Sequence, residues 1–288
     1  MKAIRLKTHI LFLGLAAMCM LASCKKDKEN GSNAGEGFEA STEQGVSGSK
    51  TYLDGTTVKW TDDDRIKVVN GEGTMLKFHL VEGRNTTHGK FYDLTDNHEG
   101  FFVSNYVAAY PTSAEINGTL VTFTLPNEQP YVDDGFGNHI NPMVAYSTNR
   151  KLNFKNVLGG ICFRFIGDCH ITRIEVTSDD PADMLWGVGT VEANSDNNDY
   201  LVLNVANDAE DKNVISLTCD TVLSQSPINA CFMIPPGTLE SGFTVTLYDG
   251  DTELWQQQTI TPPDTGFIQR SKIRKMQGDP IEVWMERN

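Results

Sequence analysis

One cysteine near the start of the chain stands in a context that would lead to modification of its sulfur. Cys24 follows Leu21-Ala22-Ser23. These three residues come directly after an apolar stretch, residues 10–20, that is too short to span a bilayer. Three basic residues precede that stretch. The arrangement predicts a bacterial lipoprotein signal, with cleavage after Ser23 and acylation of Cys24. An ordinary secretory signal with an incidental cysteine is the alternative.

The remaining residues with catalytic or metal-binding potential form no recognisable motif. The histidines after the signal have neither metal-ligand spacing nor a hydrolase context; they are His79, His88, His98, His139 and His170. Asp62-Asp63-Asp64 resembles a cation site but lacks the spacing of a calcium-binding loop, so an acidic turn is predicted. We therefore expect no catalytic, cofactor-binding or metal-binding residue, no cofactor and no enzymatic activity.

Four further cysteines follow Cys24, namely Cys162, Cys169, Cys219 and Cys231. Their spacing matches no zinc or redox motif. The compartment permits disulfides, and Cys162 with Cys169 could bridge a hairpin. Because Cys162 and Cys231 lie in apolar runs, where buried thiols are common, free cysteines are the preferred prediction over a disulfide framework.

The charge of the chain excludes one class of partner. Its 24 basic and 38 acidic residues give a net charge of −14, and loss of the basic signal makes the mature chain more acidic still. Such a surface repels phosphate backbones, so no nucleic-acid partner is expected. No second apolar stretch approaches membrane-spanning length, so the lipid on Cys24 is the predicted membrane anchor.

Alternation of apolar and polar residues dominates the rest of the chain. It starts at Phe38-x-Ala40-x-Thr42 and recurs in many short runs separated by Gly, Asn, Asp and Pro, while no long stretch has helical periodicity. The pattern predicts an all-β fold of sandwich type. The predicted segments are a signal peptide at 1–23, a flexible tether at 24–37, and two sandwich domains at 38–148 and 149–288.

Four ordered stretches resemble the fimbrillin-like (Mfa-like) family of surface lipoproteins from Gram-negative anaerobes. They are Lys50–Val68, which contains W-x-x-x-D-x-I, Phe154–Gly160, Ile234–Val245 and Ile268–Met276. The resemblance implies two tandem transthyretin-like (Greek-key) β-sandwich domains. It also implies a structural, tip or accessory subunit of a pilus (fimbrium), located at the cell surface as an outer-membrane lipoprotein.

The same resemblance implies assembly by strand exchange with other pilus subunits. A protease would remove the first strand, carrying Phe38, Ala40 and Thr42, and a strand of another subunit would fill the groove. The implied cleavage site is Lys50, with Arg65 ranked second. Family members are more often cut after arginine.

The alternating residues at the other end of the chain, Ile281, Val283 and Met285, are a candidate donor strand. They could instead close the second sandwich of their own chain. A host or bacterial surface receptor is a further expected partner. The alternative function is a monomeric surface lipoprotein that binds glycans through its aromatic residues, although Trp60 shares the apolar phase of its strand and core packing is predicted for it.

Overall fold

The computed structural model describes residues 37–43, 58–94, 100–194, 202–259, 266–276 and 278–284. In these ranges the regular structure consists of β-strands, and no helix is present, which confirms the all-β prediction. In the first half of the chain the strands are β1 (Gly37–Thr42), β2 (Arg65–Val69), β3 (Met75–Glu82), β4 (His88–Tyr92), β5 (Tyr106–Tyr110), β6 (Glu115–Asn117), β7 (Leu120–Leu125), β8 (Glu128–Pro130), β9 (Met143–Ser147) and β10 (Lys151–Asn156).

In the second half the strands are β11 (Gly159–Gly167), β12 (His170–Ser178), β13 (Gly187–Glu192), β14 (Asn204–Ala206), β15 (Val214–Val222), β16 (Ile228–Ile234), β17 (Phe243–Asp249), β18 (Thr252–Thr259), β19 (Ile273–Lys275) and β20 (Ile281–Val283). Their alternating burial explains the period-two pattern of the sequence, because successive side chains of a strand point to opposite faces.

Seven strands form a sheet that closes on itself in the order β1-β10-β9-β5-β2-β3-β4. Its interior holds a cluster rich in aromatic side chains, including Trp60, Phe78, Phe91 and Phe154. The β2–β3 turn shows how the local sequence shapes this sheet. Asn70 Oδ1 accepts hydrogen bonds from the backbone N–H groups of Glu72 and Thr74 and so holds the turn at Asn70-Gly71, a residue pair that favours turns.

Three further sheets complete the described structure. Their orders are β16-β11-β19 with β20 also paired to β11, then β18-β17-β12-β15-β8, and β14-β13-β7-β6. The second half has its own core, formed mainly by β11, β12, β15, β16 and β17. A third cluster combines side chains of β5, β7 and β13 with those side chains of β11 and β16 that point away from the core of the second half.

Strand pairing continues across the predicted domain boundary. Residues 148 and 149 lie in the turn between β9 and β10, which pair with each other in the closed sheet. In addition, β7 pairs with β13, and β8 pairs with β15. The predicted halves are therefore joined by backbone hydrogen bonds, and their description as tandem transthyretin-like domains stays a prediction.

Candidate functional site

Strand β1 closes the seven-stranded sheet and hydrogen-bonds to a neighbour along each edge. It runs antiparallel to β4, from Gly37 opposite Tyr92 to Ser41 opposite His88. It runs parallel to β10, from Glu39 beside Lys151 to Thr42 beside Phe154. Removal of β1 would therefore leave two unpaired edges facing each other, and such edges can take up a strand in its place.

The inward face of β1 carries the three residues that the sequence singled out. Phe38, Ala40 and Thr42 are only 1%, 3% and 5% exposed. The Phe38 ring contacts the rings of Phe78 and Tyr106 edge-on, each at a centroid distance of 4.9 Å. The Thr42 hydroxyl donates a 2.6 Å hydrogen bond to the carbonyl of Val58. The β1 groove, meaning the space between β4 and β10 that β1 fills, is therefore lined mainly by aromatic side chains.

A half-buried ion pair fixes the end of β1. Glu43 Oε2 accepts a 2.6 Å hydrogen bond from Arg270 Nη1, and Glu43 Oε1 accepts one of 3.1 Å from Arg270 Nη2. The backbone N–H of Asn156 donates to the same carboxylate at 3.0 Å, and Lys155 Nζ lies 3.6 Å from it. The Glu43 and Arg270 side chains are 14% and 18% exposed, so water weakens this bidentate pair little.

Arg270 also donates to the carbonyl of Asn156, at 2.7 Å, which fixes its guanidinium group beside β10. Sequence reasoning missed both Glu43 and Arg270. They are 227 residues apart, and no local pattern connects them.

The predicted processing residues differ in what the structure says about them. Cys24 and Lys50 lie outside the described residues. Arg65 is the first residue of β2, and its register partner on β3 is His79. Because the bond after Arg65 lies in a paired strand, a protease would need local unfolding to reach it, which agrees with its second rank.

The candidate donor strand is paired within its own chain. Ile281 lies beside Phe165 and Val283 beside Gly167, so β20 runs parallel to β11. A Cβ atom on Gly167 would lie 2.0 Å from the Val283 carbonyl oxygen, so only glycine allows this approach. Val283 is 4% exposed, and Met285 lies outside the described residues. The position corresponds to the alternative of closing the chain's own sheet, and the donor role stays a prediction.

The preference for free cysteines was wrong for Cys162 and Cys231, which form a disulfide. They face each other across β11 and β16 with a Cα–Cα distance of 4.1 Å. The sequence does not show this register, which is why spacing alone could not predict the bridge. Cys169 and Cys219 are free, and a bridge from Cys162 to Cys169 is absent. Burial, aided by Asp220, raises the pKa of Cys219 to about 11, which makes this thiol a poor nucleophile at neutral pH.

A cavity of about 210 Å³ lies next to Trp60 and is lined by Asp64, Tyr110, His139 and Asn141 among others. Trp60 is 1% exposed and packs edge-on against Phe91, which confirms its predicted core position. In the described structure the Trp60 indole N–H and the Asn141 side-chain oxygen have no hydrogen-bond partner. The cavity thus combines aromatic walls with buried polar atoms.

The acidic run forms a turn, as predicted, and its last residue is structural. Asp64 is 4% exposed and accepts hydrogen bonds from the Thr61 backbone N–H at 2.6 Å and from the Tyr110 hydroxyl at 2.8 Å. Burial and the Asp64 carboxylate raise the pKa of Tyr110. Asp62 pairs on the surface with Arg84. Among the described residues no group of three or more His, Cys, Asp or Glu side chains is placed to hold a metal ion.

Two histidines are expected to titrate on opposite sides of pH 6.5. Hydrogen bonds to Asp220 at 2.7 Å and Asp249 at 2.9 Å raise the pKa of His170, whereas burial and the charge of Arg65 lower the pKa of His79. Protonated His170 therefore stabilises the folded state below about pH 6.5, and this contribution is lost as pH rises through its raised pKa. NMR titration of the histidine ring protons measures both midpoints.

The Asp220→Asn variant is the matched control for this titration. It should lower the His170 midpoint and leave that of His79 in place. Identical midpoints for His79 and His170 in the unmodified protein would contradict the assignment.

Within the described residues, no helix has the length and apolarity needed to cross a membrane.

Comparisons with known proteins identify similar folds only among solved structures. No family model matches the chain, and no curated protein matches it. A candidate cell adhesion protein from Bacteroides ovatus is 12% identical, with a TM-score of 0.50 over 88% of this chain and 98% of that chain. The present chain shares its fold.

Two further candidate cell adhesion proteins match at lower structural similarity. One from Bacteroides uniformis is 15% identical, with a TM-score of 0.41 over 73% of this chain and 78% of that chain. One from Bacteroides fragilis is 10% identical, with a TM-score of 0.37 over 83% of this chain and 91% of that chain.

Proposed function

We propose that this protein is a cell-surface adhesion protein that acts as a pilus subunit and assembles by exchange of β1. The supporting observation is that one short strand closes the seven-stranded sheet and fills an aromatic groove with Phe38. An incoming strand could replace the backbone hydrogen bonds of β1 along both edges and bury apolar side chains at alternate positions. The fold shared with a candidate adhesion protein supports the same proposal.

The proposal includes a lipid anchor that processing removes. Cys24 would carry the acyl chains and hold the precursor at the outer membrane, and the tether at 24–37 would connect the lipid to β1. A cut after Lys50 would separate the lipid and β1 from the remaining chain. The proposal also states that the subunit is fimbrillin-like, that it has two tandem transthyretin-like domains and that it has no enzymatic activity.

A trypsin-like protease is expected to cut the purified full-length precursor after Lys50 and to start assembly. The reason is that the cut turns β1 into a separate segment that another strand can displace. We expect a product whose new amino terminus is Thr51, followed by a ladder of oligomers that resists SDS. Mass spectrometry and SDS gels measure these results.

The Lys50→Gln variant is the control for the cleavage site, and Arg65→Gln tests the second-ranked residue. Lys50→Gln should abolish the cut and the ladder, while Arg65→Gln should behave like the unmodified protein. A clipped product that stays monomeric would contradict assembly by strand exchange.

A glycan-binding function is the second candidate, and the cavity beside Trp60 favours it. The side chains of Tyr110, Phe136 and His139 line this cavity, and such aromatic walls suit a sugar ring. Under this alternative, the clipped protein stays monomeric and binds components of a glycan array, and His139→Ala abolishes that binding.

A further inference from the structure

The residues around Glu43 form a binding site for a carboxylate at the end of the β1 groove. Arg270 contributes two N–H donors, Lys155 adds a second positive charge, and the backbone N–H of Asn156 points to the same oxygen atoms. If β1 leaves, as the proposed function requires, this half-buried arginine loses its counter-charge. Such a loss is costly, so a replacing strand would be selected for a carboxylate at the position of Glu43.

A second, weaker charge contact lies on the same strand. Glu39 lies 3.9 Å from Lys151 of β10, but both side chains are well exposed, so this contact contributes little to the free energy. Glu39 and Glu43 are four residues apart in the sequence. Between them lie Ala40 and Thr42, whose side chains point to the buried face. The groove therefore fits a strand with alternating buried side chains and with acids at these two positions.

One other segment of the chain has this arrangement. In the whole sequence two glutamates stand four residues apart only twice, at Glu39 and Glu43 and at Glu282 and Glu286. In Ile281-Glu282-Val283-Trp284-Met285-Glu286 the apolar residues occupy the positions of Phe38, Ala40 and Thr42. The candidate donor strand therefore repeats both the alternation and the acidic positions of β1.

The surroundings of β1 also suit the bulky residue of this segment. Trp284 corresponds to Ser41, and Ser41 lines a groove of about 320 Å³ on the outer face of the closed sheet, together with Gly83, Gly89 and Asn153. The indole ring has room there. Val283 and Met285 are larger than Ala40 and Thr42, so the β1 groove must widen to take them, and it would then bury more apolar surface.

The segment occupies a peripheral position in its own chain. In the described structure β20 has three residues and pairs with β11 alone, while Trp284 is 42% exposed. Release of β20 therefore breaks fewer contacts than release of a central strand such as β12, which pairs with both β15 and β17.

We infer that Arg270 and Lys155 select the incoming strand by its carboxylate, and that Glu286 of a second copy of this chain supplies it when residues 281–286 replace β1. This inference rests on the proposed function. It adds the register and the residues that determine specificity.

The test compares ladders formed by clipped full-length protein with those of the Glu286→Gln variant. Loss of a charged hydrogen-bond acceptor should slow oligomer formation about tenfold. Glu253→Gln, at an exposed position of β18, is the matched control and should assemble normally. If Glu286→Gln forms ladders as fast as the unmodified chain, the inference is overturned while the proposed function stands.

A charge reversal tests the groove directly. The variant with Glu43→Arg, Arg270→Glu and Lys155→Gln keeps an ion pair in the precursor but should repel Glu286 after clipping, so ladders should disappear. Adding Glu286→Arg should restore them. If this variant does not fold, the Glu286→Gln comparison decides, because that substitution changes no residue of the groove.

A peptide arm separates failure of the inference from failure of the proposed function. A synthetic peptide of residues 279–288 should bind clipped protein, and the same peptide with the substitution Glu286→Gln should bind about tenfold more weakly. Such binding in the absence of any ladder would support the inference and overturn pilus assembly. Equal binding of the two peptides, or no binding of either, would overturn the inference.

Discussion

Replacement of Phe38 by alanine is expected to lower the free energy of unfolding of the full-length protein by about 3–5 kcal/mol. The ring is 1% exposed and contacts four other aromatic rings, those of Phe78, Phe101, Phe102 and Tyr106. Its loss removes these contacts and leaves a cavity where the closed sheet meets β1. Urea denaturation followed by tryptophan fluorescence measures the change.

The control for this measurement is Val81→Ala on β3. Val81 is 54% exposed, so its truncation should change the free energy by less than about 0.5 kcal/mol. A loss of under about 1 kcal/mol for Phe38→Ala would show that β1 adds little to the core. A loss of the expected size has a functional consequence, because a subunit whose first strand contributes so much needs a replacement strand when β1 leaves.

Removal of the disulfide through Cys162→Ala with Cys231→Ala is expected to lower the free energy of unfolding by about 4 kcal/mol. The bridge closes a loop with a sequence separation of 69 residues, and cross-linking such a loop restricts the unfolded chain. Urea denaturation of the variant, and of the unmodified protein with and without a reducing agent, measures the effect. Alkylation in denaturant without reduction should label Cys169 and Cys219 but neither bridged cysteine.

Cys219→Ala is the matched control for the bridge. Its thiol is free and half-buried, so its loss should cost much less stability and should leave the response to a reducing agent unchanged. Equal stability of the unmodified protein with and without reductant would contradict a structural role for the bridge.

Local patterns in the sequence are enough to predict several elements of this fold. Phe38-x-Ala40-x-Thr42 predicts a strand with one buried face, and the structure buries all three side chains. The Asn-Gly signal at Asn70 marks the β2–β3 turn, and the phase of Trp60 in an alternating run indicates its core position. These predictions succeed because side-chain alternation and turn preferences act over a few residues.

The same local patterns could not supply the partners of these elements. Strand β1 pairs in parallel with β10, more than a hundred residues away, and β7 and β8 join sheets of the second half. A strand's own residues show which face is buried, but its neighbours depend on how all strands pack together. The boundary predicted at residue 148 rests on composition alone, which carries no information about these pairings.

By itself the sequence determined that the chain is all-β, that the inward face of β1 is buried, and that Ile281, Val283 and Met285 alternate like β1. Only the tertiary structure decided that Cys162 meets Cys231 and that Glu43 meets Arg270. Alternation is a local property of backbone geometry, whereas a disulfide or a half-buried ion pair requires the register between distant strands. That register follows from the free energy of packing the whole chain, and it brings together the groups that would select an incoming strand.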